Sequence, residues 1–89
     1  MRYEWHAAKA EANLAKHGVG FEAVHDFDWN HALVTRDRRR AYDQPRFIAL
    51  GPIGDRIHVL VFAWRSGAIR VISLRKANVR ERNFHETET

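Results

Sequence analysis

Two dipeptides, Gly54-Asp55 and Ser66-Gly67, constrain this chain more than any other feature. Each interrupts a run of β-prone residues, and two-residue turns of this composition join strands that lie antiparallel and side by side. The runs Arg46–Ile53, Arg56–Arg65 and Ala68–Arg75 are therefore predicted strands of one meander. The middle run has an unbroken apolar centre, Val59-Leu60-Val61-Phe62-Ala63, which is the pattern of a central strand covered on both faces.

Around this meander the signals are helical. Tyr3-Glu4-Trp5 reads as a short strand or extended entry, and His6–His17 as a helix rich in good helix formers. Ala8, Ala12 and Ala15 recur at helical spacing and predict a packing stripe, with Leu14 at its edge. Gly18 stands where a glycine ends a helix, after Lys16 and His17 in the last turn. Phe21–Phe27 predicts a second, shorter helix with Phe21, Val24 and Phe27 on one face. Asp28-Trp29-Asn30 reads as a turn and Ala32–Thr35 as a short strand. Arg36–Arg40, with four arginines and Asp37, reads as a hairpin tip or exposed loop, either solvated or contacting RNA or a partner. Lys76 to about Glu86 predicts a C-terminal helix, with Thr87-Glu88-Thr89 frayed. The expected fold is one α+β domain over residues 1–89: a short N-terminal strand, two helices, an antiparallel sheet of three to four strands and a C-terminal helix.

Composition narrows the chemistry. The absence of cysteine excludes disulfides, thiolate metal sites and cysteine nucleophiles. No apolar run approaches a membrane span, and Met1-Arg2-Tyr3-Glu4-Trp5 has no apolar signal core, so a soluble cytoplasmic protein is the expectation. The formal net charge is +4, and 12 of the 15 cations are arginine, whose planar fork matches phosphate. Between residues 65 and 82 six cations face a single anion, Glu81, an electrostatic footprint suited to a polyanion or an acidic partner. None of the six histidines forms a His-x-x-x-His pair or a His-Glu-x-x-His motif, so neither a metal nor another cofactor is expected. No phosphate-binding glycine loop and no Gly-x-Ser-x-Gly elbow occurs.

What remains is a polar set: Lys9, Asn13, Lys16, His17, His25, Arg65, Arg70, Arg75, Arg80, Glu81 and Arg82. Lys9, Asn13, Lys16 and His17 share a helix face through i,i+3 and i,i+4 spacings. Such a set suits RNA cleavage, because RNA carries its own nucleophile in the 2′-hydroxyl. The protein need only exchange protons and stabilise charge on the phosphate. His17 could equally cap its helix. Arg70 and Arg75, five positions apart on one strand, point to opposite faces unless a bulge or strand end re-aims one of them. Asn78 and Arg82 can form a polar ledge beside Arg75.

The motifs together resemble the BrnT toxins of type II toxin–antitoxin systems, small proteins similar in fold to the RelE-like ribonucleases. Tyr3-Glu4-Trp5, Lys9, Asn13, Lys16-His17-Gly18-Val19, Phe21 and Ala23 are similar to the family's E-W-D…K…N…K-H-G-V-x-F-x-x-A pattern. Arg46 to Gly51 resembles its R-x-x-x-x-G strand, and Arg70 to Asn78 resembles R-I-I-S-A-R-K-A-N. The resemblance implies a metal-independent endoribonuclease that inhibits translation. It also implies a BrnA-type antitoxin that neutralises the toxin in a hetero-oligomer and binds operator DNA. It marks Lys16, His17, Arg70, Arg75 and Glu81 as catalytic candidates, without saying which is base and which acid. Lys9, Asn13, Arg65, Lys76, Asn78, Arg80 and Arg82 are RNA-binding candidates. His6, Leu74 and Phe84 depart from the family's aspartate, alanine and tyrosine, and Trp64 stands where a polar residue is frequent. A non-catalytic basic module that binds an antitoxin or nucleic acid is the competing expectation.

Overall fold

The computed structural model describes residues 1–89 as one sheet with helices at its edge and on its faces. Five strands, β1 (Tyr3–Glu4), β2 (Leu33–Asp37), β3 (Arg46–Ile53), β4 (Arg56–Arg65) and β5 (Ala68–Lys76), pair in the order β1-β5-β4-β3-β2. The predicted meander forms β3 to β5, and both of its turns are two residues long. Ser66 and Gly67 both take positive φ, 51° and 77°, which lets the β4–β5 hairpin follow the right-handed strand twist.

The α+β class holds, but the sheet is larger than expected and mixed. Tyr3 and Glu4 pair in parallel with Ile69 and Arg70, while every other ladder is antiparallel. A two-residue strand carries no periodic signal of its own, so its partner could not be read from sequence.

Helix α1 spans Ala7–His17, with His6 as its N-cap. Gly18, at φ 72°, ends it by donating its N–H to the Leu14 carbonyl. The expected alanine stripe is overturned: Ala8, Ala12, Ala15 and Leu14 face solvent, and Asn13 is the buried residue of the helix. Its amide Nδ2 donates to the carbonyls of Leu74 (2.8 Å) and Val19 (3.0 Å), and its Oδ1 accepts from the Leu74 N–H at 3.2 Å. Asn13 thus behaves as a surrogate strand residue, completing the edge of β5 beyond the short reach of β1.

The second predicted helix is present as a 3₁₀ segment, Phe21–Asp26, followed by another at Trp29–His31. Phe21, Val24 and Phe27 point inward as their three-residue spacing requires, because a 3₁₀ turn repeats every three residues. With Leu60, Phe62, Ile69, Val71 and Leu74 they form the main core on one face of the sheet. Strand β4 is covered on its other face as well, where Val59 joins Leu50 and Ala77 in a smaller buried cluster; beside it Val61 is only half-buried, and there the sheet opens into a cleft.

Helix α2 is Val79–Glu88, starting three residues later and ending later than expected. Lys76 belongs to β5, and Asn78 is the N-cap in a reciprocal capping box with Glu81. Phe84 is exposed, and His85 is the buried residue of the helix.

Candidate functional site

Ladder register sets the floor of the cleft. Thr35, Ile48, Val61 and Ser73 lie in one row across the sheet, and Leu33, Leu50, Val59 and Arg75 in the next. On β5 the alternation breaks: Val61 pairs with Ser73 and Phe62 with Val71, leaving Ile72 as an extra residue. This bulge turns Ile72 and Ser73 to the same side, and both line the cleft. It also resolves the parity of the two arginines, because an added residue between them brings Arg70 and Arg75 to one face of the sheet.

The cleft encloses about 470 Å³ between α1, the strands, the loop after β2 and α2. Lys16 and His17 enter from the end of α1, Arg75 from the end of β5 and Glu81 from the first turn of α2. Arg75 and Glu81 form a bidentate pair: Nη1 donates to Oε1 and Nη2 to Oε2, each at 2.8 Å. Glu81 Oε1 also accepts the Asn78 N–H at 2.9 Å. The carboxylate is held below its ordinary pKa, chiefly by its hydrogen bonds from Arg75, while the pKa of Arg75 is pushed up chiefly by Glu81. Glu81 is consequently a spent acceptor that aims a guanidinium, not a free base. His17 is shifted the other way. Burial, then the charges of Lys16 and Arg75, hold its pKa below 6.5, so the imidazole is neutral at pH 7 and able to accept a proton.

The far wall is one that sequence reasoning left undecided. The loop after β2 folds around Asp37, whose side chain is fully buried. Arg39 donates to Asp37 through Nε (2.9 Å), Nη2 (2.8 Å) and its backbone N–H (3.1 Å), and Tyr42 donates its hydroxyl at 3.0 Å. These bonds hold Asp37 well below the usual carboxylate range. The Arg46 guanidinium lies 4.3 Å from the centre of the Tyr42 ring. Arg39, Arg40, Tyr42 and Arg46 thereby become cleft residues. The run of arginines was the available signal, and its organiser, Asp37, was the clue within it.

The remaining candidates divide. Arg70 is outside the cleft, paired through Nη1 with Glu4 at 2.8 Å. Lys9 lies further along α1, toward Arg70, and Asn13 spends its amide on backbone. Arg65 sits exposed at the β4–β5 turn, Lys76 at the exposed end of β5, and Arg80 and Arg82 on the exposed side of α2. None of these four lines the cleft. The cationic footprint is thus only partly the 65–82 segment: Lys16, Arg39, Arg40 and Arg46 come from elsewhere. No three His, Asp or Glu side chains converge as a metal-binding group.

A small α+β domain with an open cationic cleft, a histidine whose pKa is lowered and a clamped arginine has the charge and groups that suit a phosphodiester chain. The family model described as the ribonuclease toxin BrnT of type II toxin–antitoxin systems matches residues 5–81, and the chain belongs to that family. It is accordingly a ribonuclease toxin with RNA as its target and an antitoxin as its partner. No curated relative matches the chain. No helix is long and apolar enough to cross a membrane.

Proposed function

We propose that the chain is a metal-independent endoribonuclease that arrests translation in the cytoplasm by cutting RNA in the cleft between α1 and α2. His17 takes the proton of the 2′-hydroxyl, whose oxygen attacks the adjacent phosphorus. The bond from phosphorus to the 5′-oxygen breaks, and Lys16 returns a proton to that leaving oxygen. The products are a 2′,3′-cyclic phosphate and a 5′-hydroxyl. Arg75, held in a fork by Glu81, stabilises the charge that grows on the phosphate oxygens. Arg39 and Arg46 bind the chain on either side. The observation that carries this reading is a neutral His17 in the same cleft as the oriented Arg75 guanidinium. A BrnA-type antitoxin would neutralise the toxin by covering this cleft and would repress their operon through its own DNA-binding part.

Purified protein should cleave RNA in excess chelator and leave cyclic phosphate ends. His17→Ala and Arg75→Ala should each lower kcat/KM by about 10²-fold or more. Intact RNA with folded wild-type protein that still binds its antitoxin would assign the chain to non-catalytic binding. Cleavage unchanged in both variants would leave the activity and move the site.

A further inference from the structure

Beyond the cleft the same face of the sheet carries a second, smaller depression of about 160 Å³. Tyr42, Arg46 and Ile72 form the ridge that the two share. Its floor is Ala63, paired across the ladder with Arg70, and the short side chain leaves the space open. Its walls bring together Lys9 from α1, Arg70 from β5 and Asp43-Gln44 from the loop. A shallow groove along the seam of α1 and β5, touching Lys9, Lys16, His17 and Ser73, links this depression to the cleft. The volume is below that of a site for a complete small ligand, which suits one further unit of a polymer already seated next door.

The groups present are those a nucleotide needs. Lys9 and Arg70 are cations for a phosphate, and Arg70 is oriented by Glu4 much as Arg75 is by Glu81. Asp43 and Gln44 make no side-chain hydrogen bond within the chain, so their polar atoms are free for a base edge. A carboxylate accepts from an exocyclic amino group such as that of cytosine and has nothing to accept from the O4 of uracil.

We propose that this depression is the subsite for the nucleotide next to the scissile phosphate, with Lys9 and Arg70 on its phosphate and Asp43 selecting a base that carries an amino group. The inference rests on the ribonuclease reading above, and it makes Arg70 a binding residue for the flanking nucleotide. The depression exists because the Ile72 bulge puts Arg70 on the cleft face while the Asp37-centred loop brings Asp43 over it.

Oligonucleotides with 2′-fluoro sugars lack the nucleophile and read binding alone. Lengthening a 2′-fluoro dinucleotide to a tetranucleotide should tighten binding to the wild-type protein by about tenfold, the worth of one charge-assisted phosphate contact. That gain should shrink to under about twofold in Lys9→Ala, a change at an exposed helical position. Asp43→Asn should erase the preference for cytidine over uridine tetranucleotides. Retention of the full length gain in Lys9→Ala, or of the base preference in Asp43→Asn, overturns the subsite while leaving the ribonuclease intact. Wild-type protein that neither binds these oligonucleotides nor cleaves RNA overturns both readings.

Discussion

At His17 a helix end meets a strand-end guanidinium, and the surroundings set the charge of the ring. Burial and the cations Lys16 and Arg75 all oppose protonation, so its pKa lies below 6.5. A general base works only when unprotonated, so kcat/KM for RNA should rise with pH and reach its plateau with an acid-limb midpoint below 6.5. Arg75→Ala removes one of the two opposing charges. The residual activity should then titrate at a higher pH, nearer the ordinary histidine value, even as the rate falls. Pairing pH–rate profiles with an NMR titration of the His17 ring checks both movements. An acid limb above 6.5 in the wild type, or a midpoint that stays put in Arg75→Ala, would assign the proton transfer to another group. This pairing of residues was legible in the sequence as far as Lys16, His17, Arg75 and Glu81. The hydrogen bonds that make Glu81 an aiming carboxylate were not, because they depend on the Asn78–Glu81 capping box, and the start of that helix was placed three residues early, at Lys76.

Elements were legible where a local signal fixed them. The two-residue turns fixed β3, β4 and β5, and Gly18 fixed the end of α1. Elements misread were those settled by partners distant in sequence. The buried face of α1 follows Asn13, whose amide meets the backbone of Leu74, 61 positions away, and no helical periodicity announces that. The bulge at Ile72 was required if Arg70 and Arg75 were to share a face, yet Ile72-Ser73 look like ordinary strand residues. Helix α2 is held by few contacts. Val79 and Phe84 are exposed, and His85 anchors it by donating from Nε2 to the His31 carbonyl at 2.6 Å. Its first turn therefore leans on the Asn78–Glu81 box, with each bond at 2.9 Å. Asn78→Ala should cost about 1 kcal/mol of stability and speed hydrogen exchange in the first turn of α2. Cleavage should fall severalfold with it, since Glu81 then holds Arg75 less firmly. Unaltered exchange in that turn would show that the Arg75 pair alone keeps α2 in place.

For the whole molecule, the formal charge of +4 is a weaker guide than its distribution. Lys16, Arg39, Arg40, Arg46 and Arg75 reach one cleft from α1, the loop after β2, β3 and β5. Lys9 and Arg70 extend the same field into the neighbouring depression. Glu81, Asp37 and Glu4 lie where they clamp Arg75, Arg39 and Arg70 respectively, so anions in the field orient cations without cancelling the attraction for a polyanion. Binding of single-stranded RNA to such a surface releases counterions, and log affinity falls with log salt by about 0.7 per neutralised phosphate. Occupation of the cleft and the second depression by consecutive nucleotides predicts a slope at least as steep as about −1.4 for a non-cleavable oligonucleotide, two phosphates at ~0.7 each before any held by Arg39 or Arg46. Arg75→Ala and Lys9→Ala should each make the slope shallower by up to about 0.7, by weakening the hold on one phosphate apiece. Arg56, exposed beside the Gly54-Asp55 turn and lining neither depression, supplies the comparison. Arg56→Ala removes the same formal charge and should leave the slope where it was. Equal slopes for all three variants would mean that RNA responds to net charge alone, and the geometric reading of the cleft would fall.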